Sequence, residues 1–116
     1  MVETACHCGA VTLQIAEPPQ TVTDCNCSIC HKLGVLWAYY ATCDVTIAGD
    51  TDIYKRGERK LEFHRCKICG CPTHWQSVDK SAVRMGVNAR LMPPQILAAA
   101  RIRKLDGAVT WKYLDE

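Results

Sequence analysis

The sequence predicts a mostly β domain built around metal-binding cysteines, and two observations carry that prediction. Apolar residues recur with period two in short runs that Gly, Pro and Asp interrupt, the pattern of half-buried strands. Nine of the 116 residues are cysteine, about 8 % of the chain, and eight of them fall in three tight clusters. The 48 % hydrophobic and 22 % charged composition is that of a globular chain, and no run of about 18 apolar residues is present to span a bilayer. No Pro/Gly-rich linker and no internal repeat divides residues 1–116, which therefore read as one domain.

Taken in order, Val11, Leu13 and Ile15 alternate with Thr12 and Gln14 as a strand that Pro18 and Pro19 end. Residues 36–43 are rich in aromatic and other apolar side chains, Val45, Thr46 and Ile47 stop at Gly49 and Asp50, and 52–55 continue the style, so three consecutive antiparallel strands are expected. Leu61, Phe63 and Arg65 alternate with Glu62 and His64, which places His64 off the apolar face, toward solvent. Residues 73–76 and the alternation of Val83, Met85 and Val87 supply two more short strands. Only 93–100 favours helix, with prolines at the tolerated first turn followed by mostly good helix formers. Residues 101–105, the Asp106-Gly107 turn and 109–113 predict a closing hairpin. Trp37, Trp75 and Trp111 are expected in the core, as is Cys43.

The N-terminal residues 1–6 carry neither a basic n-region nor an apolar h-region, so the expected location is the reducing cytoplasm. Thiols there serve metals or redox chemistry rather than disulfides, and an odd cysteine number fits a disulfide framework poorly. Cys6 and Cys8 form a C-x-C pair, which on extended backbone turns both sulfurs to one side. Cys66 and Cys69, followed by Gly70, have the spacing of a tight zinc-binding turn, and Cys25, Cys27 and Cys30 form a triplet. A structural zinc takes four protein ligands and a catalytic one takes three, leaving a position for water or substrate. Two pairs and a triplet fit that division, although spacing alone also allows the middle cluster to supply the structural pair.

Three motifs in order, Cys6-His7-Cys8-Gly9-Ala10-Val11, then Cys25-Asn26-Cys27-Ser28-Ile29-Cys30 with Gly34 four residues on, then Phe63 through Cys71, resemble those of the glutathione-dependent formaldehyde-activating enzyme family, which also includes centromere protein V. The resemblance implies a Mss4-like, mostly β fold of several small antiparallel coiled sheets around zinc sites. It also implies two Zn²⁺ per chain, a structural ion on Cys6, Cys8, Cys66 and Cys69 and a catalytic ion on Cys25, Cys27 and Cys30. The implied reaction adds the glutathione thiol to formaldehyde, giving S-hydroxymethylglutathione, a carbon-sulfur lyase activity when written in reverse. Partners are then a small thiol such as glutathione and a small aldehyde, with no membrane. Cys27, in the middle of the triplet, is the candidate for a catalytic ligand that exchanges at the metal.

His7 and His31 flank cysteines but stay outside the expected ligand set, because such histidines more often point away or donate an outer hydrogen bond. Cys71 is open between the three-ligand centre and a small buried position. Lys55, Arg56, Arg59, Lys60 and Arg65, interleaved with Glu58 and Glu62, read first as a solvated face, with Arg56, Arg59 and Arg65 also able to meet substrate carboxylates. The formal charge of +2 does not argue for nucleic acid: seven metal-bound thiolates and two dications lower it to −1. The competing readings are a non-catalytic zinc module that binds protein or nucleic acid and a dithiol oxidoreductase. The open three-ligand centre and the lack of a basic tail favour the enzyme over the first, and neither C-x-x-C opens a helix in a βαβ unit as the second requires.

Overall fold

A computed structural model describes residues 1–57 and 59–115; Glu58, one of the acids interleaved in the basic run, lies outside the described residues. The described residues form ten strands and two short α-helices, besides two single 3-10 turns: β1 (Val2–Ala5), β2 (Thr12–Ile15), β3 (Thr21–Cys25), α1 (Ser28–Leu33), β4 (Trp37–Ala41), β5 (Val45–Ala48), β6 (Thr51–Tyr54), β7 (Leu61–Cys66), β8 (Pro72–Ser77), β9 (Arg84–Asn88), α2 (Pro94–Ala99) and β10 (Arg101–Leu105). They assemble into a three-stranded sheet, β1-β2-β5, and a seven-stranded sheet, β10-β3-β4-β9-β8-β7-β6.

The expected neighbours along the chain are not neighbours in space. β4 pairs with β9, β5 with β2 and β6 with β7, so the three strands expected to lie side by side are shared between both sheets. Alternation reports which face is buried and says nothing of the partner, which explains the miss. The closing hairpin also differs: β10 runs parallel to β3, with Leu105 opposite Cys25, and its antiparallel pairing with 109–113 is reduced to a bridge from Leu105 to Tyr113, beside which Arg103 lies 3.8 Å over the Tyr113 ring.

Period-two alternation on the large sheet separates two apolar clusters, one on each face. β4 sends Ala38 and Tyr40 toward Leu13, Ile15, Met85 and Val87, beneath the three-stranded sheet, and sends Trp37 and Tyr39 the other way, toward Phe63 and Trp75. Leu13, Ile15 and Val87 are at most 1 % exposed. Gly86 is required on β9, because any side chain there would overlap the Trp75 indole lying across it. The two cysteine groups fall on opposite sides of this division: Cys6 and Cys66 belong to the first cluster, and Cys25, Cys27 and Cys30 to the second.

Candidate functional site

Cys6, Cys8, Cys66 and Cys69 bring their four sulfurs within 4.8 Å of one another. Cys8 Sγ lies 3.7 Å from Cys6 Sγ and 3.6 Å from Cys66 Sγ, close to the edge of about 3.8 Å expected for a tetrahedron with metal–sulfur bonds of about 2.3 Å. Two matching turns present them. Val11 N–H donates to Cys6 Sγ at 3.3 Å, and Ile68 and Cys69 N–H donate to Cys66 Sγ at 3.3 and 3.5 Å. Left-handed Gly9 and Gly70, at φ 84° and 78°, close the two turns. Backbone N–H groups of Cys71 and Cys8 hold the Cys69 thiol down to about 5, so this group contains a ready thiolate. The donor set fits a closed four-thiolate metal site.

Cys25, Cys27 and Cys30 bring three buried sulfurs within 4.8 Å at the end of β3 and the start of α1. The sequence reading missed α1, a six-residue helix that Cys27 itself caps by accepting from Cys30 N–H at 3.4 Å, with left-handed Gly34 at its other end. Side-chain donors also converge: Trp37 Nε1–H donates to Cys30 Sγ at 3.2 Å and Arg56 Nη1–H to Cys27 Sγ at 3.5 Å. Burial pushes the Cys25 and Cys30 thiols up. Burial also opposes ionisation of Cys27, but the N–H groups of Cys30 and Ile29 and the flanking thiols outweigh it and hold that thiol below its usual value. Three soft donors poised around one preferred thiolate fit a single soft cation.

This triplet forms part of the wall of a cavity of about 690 Å³ whose aromatic residues are Trp37, Tyr39, Phe63, Trp75, Trp111 and Tyr113. The segment after β10 closes over it. A Cβ on Gly107 would stand 2.5 Å from Cys25 Sγ and 3.3 Å from the Trp111 ring, so glycine is needed where backbone crosses the sulfurs. Asn26, between two of the three cysteines, fastens this segment with both ends of its amide: Nδ2 donates to Asp106 Oδ1 at 3.1 Å and Oδ1 accepts from Ala108 N–H at 2.9 Å. Asp106 in turn accepts from Thr110 Oγ1 at 3.0 Å and, through its carbonyl, from Trp111 N–H at 2.7 Å.

The other expected residues divide. His7 and His31 are exposed and outside both sulfur groups, as expected. Cys71 packs against the cluster of Cys6 and Cys66, away from the triplet, and Cys43 is exposed beside Asp44 rather than buried. Trp37 is 2 % exposed but Trp111 is 62 % exposed, so the expectation of a core Trp111 is corrected. His64 is buried, stacked on His74 with ring centroids 4.1 Å apart and facing Glu62, whose charge Lys80 and Lys55 compensate. Arg56 leaves the solvated run to reach Cys27, and the contacts of Asn26 and Gly107 over the sulfurs have no local signal, because they depend on residues about eighty positions away.

The fold and its two sulfur groups define a small β protein with two metal-competent thiol centres, one self-contained and one beside an aromatic cavity. It belongs to the glutathione-dependent formaldehyde-activating enzyme family, whose match covers residues 1–101. Among solved structures it is similar to a crystal structure of a Rhodobacter sphaeroides protein, at 26 % identity and a TM-score of 0.70 over 86 % of this chain and 98 % of that one. No curated protein sequence matches significantly.

Proposed function

We propose that the chain is a two-zinc enzyme that joins a small thiol, glutathione or a relative, to formaldehyde or another small aldehyde and cleaves the same adduct in reverse, as a carbon-sulfur lyase. The observation that carries this reading is the contrast between a closed four-sulfur group and a three-sulfur group at a cavity wall, the difference between a structural and a reactive zinc site. Membership of the formaldehyde-activating family supports the thiol and the aldehyde. The nine cysteines are all free thiols, as a protein of the reducing cytoplasm would keep them, and no helix among the described residues is long and apolar enough to cross a membrane.

Cys6, Cys8, Cys66 and Cys69 would hold the structural ion, and Cys25, Cys27 and Cys30 the second. When bound, that second ion supplies Lewis acidity toward the aldehyde oxygen or lowers the pKa of the incoming thiol. In the reaction a sulfur–carbon bond forms, the carbonyl π pair passes to oxygen, and the proton lost by the thiol ends on the new hydroxyl. Three thiolates holding a dication would carry one net negative charge, and Arg56, donating to Cys27, is placed to offset it for an incoming anionic thiol. Trp37 holds Cys30 in place through its indole N–H. The aromatic walls offer water few hydrogen-bond partners, which would weaken its competition with the thiol for the aldehyde.

Zinc content of protein purified without chelator, together with glutathione–formaldehyde exchange followed by NMR, tests the proposal. Two zinc ions per chain and accelerated exchange that Cys27→Ala abolishes are expected. One zinc and no acceleration would overturn the enzyme and leave a metal-stabilised binding module.

A further inference from the structure

The cavity beside Cys25, Cys27 and Cys30 holds more aromatic surface than formaldehyde needs. Six of the chain's eight aromatic residues line it. They include neighbours in edge contact, with the Tyr39 and Trp75 rings 6.1 Å apart at 63°, and a tilted Trp37–Phe63 pair. Formaldehyde presents no face to any of them. Among the described residues the charged side chains on this wall are Arg56, Lys60 and Arg84, all cationic. Arg84 stacks 4.1 Å above Tyr39, and Arg56 reaches the sulfurs through Nη1 alone, which leaves the rest of its guanidinium to meet an acidic ligand beside them.

Trp111 sharpens the point. It is 62 % exposed and has φ 58°, a left-handed conformation that a tryptophan adopts only where its surroundings impose it. What imposes it is visible: Trp111 N–H donates to the Asp106 carbonyl, Asp106 is held by Asn26, and Gly107 lets the segment press onto Cys25. An indole face is thereby presented to the cavity instead of being buried in the core. The family match ends at residue 101, so Leu105, Gly107, Trp111 and Tyr113, which complete this wall, belong to a part of the chain outside it.

We infer that the aldehyde handled at this site is aromatic and carries an acidic group, its ring stacked against Trp111 and the inner aromatic wall and its carboxylate directed to Arg56. This inference rests on the thiol–aldehyde reading of the same site. The addition is balanced as before: the thiol sulfur bonds the aryl aldehyde carbon, the carbonyl π pair goes to oxygen, and the thiol proton ends on that oxygen as a hemithioacetal. Stacking and cation pairing act together, because an aromatic pair and a guanidinium–carboxylate pair each discriminate by several-fold to tenfold.

Two measurements on zinc-loaded protein test this. In the first, NMR exchange with glutathione compares 4-formylbenzoate with formaldehyde. In the second, tryptophan fluorescence follows binding of the unreactive probe 4-methylbenzoate to wild type, Trp111→Ala and Trp111→Phe. Expected are an acceleration at least tenfold greater for 4-formylbenzoate, probe binding weakened about tenfold in Trp111→Ala, and binding kept within about threefold in Trp111→Phe. Equal or greater acceleration with formaldehyde overturns the aromatic inference and leaves the thiol–aldehyde enzyme standing. Probe binding that depends on residue 111 with neither aldehyde accelerated supports the aromatic-acid site and removes the thiol–aldehyde reading. Neither binding nor acceleration overturns both.

Discussion

The two sulfur groups arrange the same side chain in opposite ways. In the four-sulfur group Cys8 and Cys66, 58 residues apart, meet at 3.6 Å, so a bound ion would tie β1 to the turn after β7 and close a long loop. In the three-sulfur group all members lie within six residues, and bridging them constrains almost nothing beyond α1. Their donors differ as well. Among the described residues, backbone N–H groups donate to the sulfurs of the first group, whereas the side chains of Trp37 and Arg56, from β4 and the loop after β6, reach into the second. Long-range ligation stabilises a fold. Short-range ligation leaves one side of the ion to chemistry, with the rest of the fold free to supply the walls.

The largest expected effect breaks this comparison directly. Cys66→Ser should release one zinc and unfold the protein, because structural zinc sites contribute about 10–16 kcal/mol, comparable with the whole stability of a domain. Cys27→Ser should instead keep its far-ultraviolet circular dichroism and melt within a few degrees of wild type while losing thiol–aldehyde exchange. If Cys66→Ser folds as well as Cys27→Ser does, the division of labour between the groups is wrong.

Local pattern made the sulfur groups legible, and distance hid their surroundings. Three cysteine clusters can be read directly, as can β2, β8, β9 and α2, because spacing and alternation are properties of adjacent residues. β1 and β3 were missed: each is short and offers a single aliphatic residue of strong strand propensity, Val2 or Val22, so they are strands through pairing with β2 and β10 rather than through their own pattern. His64 reads as solvent-facing by alternation, yet both faces of β7 are covered, so Phe63 and His64 are each 8 % exposed. Arg56 turning to Cys27 and Asn26 clasping Asp106 are tertiary contacts that no local pattern encodes.

Gly107→Ala comes next in size, because its Cβ would lie 2.5 Å from Cys25 Sγ and 3.2 Å from Cys27 Cβ. Displacing those atoms should reduce zinc from two per chain to one and slow exchange at least about tenfold, with melting lowered only modestly, as expected if disturbance of the second centre stays local. Asn26→Ala should do the same more mildly. It removes two hydrogen bonds to the segment over the sulfurs, each contributing about 1 kcal/mol, and should raise KM more than it lowers kcat. A large loss of overall stability in either variant would show that the triplet also supports the fold.

The smallest effect concerns the face that carries the four-sulfur group. His74 is buried there, and burial together with neighbouring His64 pushes it down to about 3, against a weaker upward pull from Glu62. The unfolded chain takes up this proton near pH 6.5 while the folded one refuses it until about 3, so the contribution is present above 6.5 and lost progressively as pH falls. One unit below that value, at pH 5.5, the loss is about 1 kcal/mol, or several degrees in melting temperature. His74→Gln should flatten this part of the stability profile between pH 7.5 and 5.5 and leave the position of the exchange optimum unchanged, since His74 lies outside the wall of the three-sulfur cavity. An optimum that moves with His74→Gln would mean that the two faces of the large sheet are coupled and that the separation of stability from chemistry is incomplete.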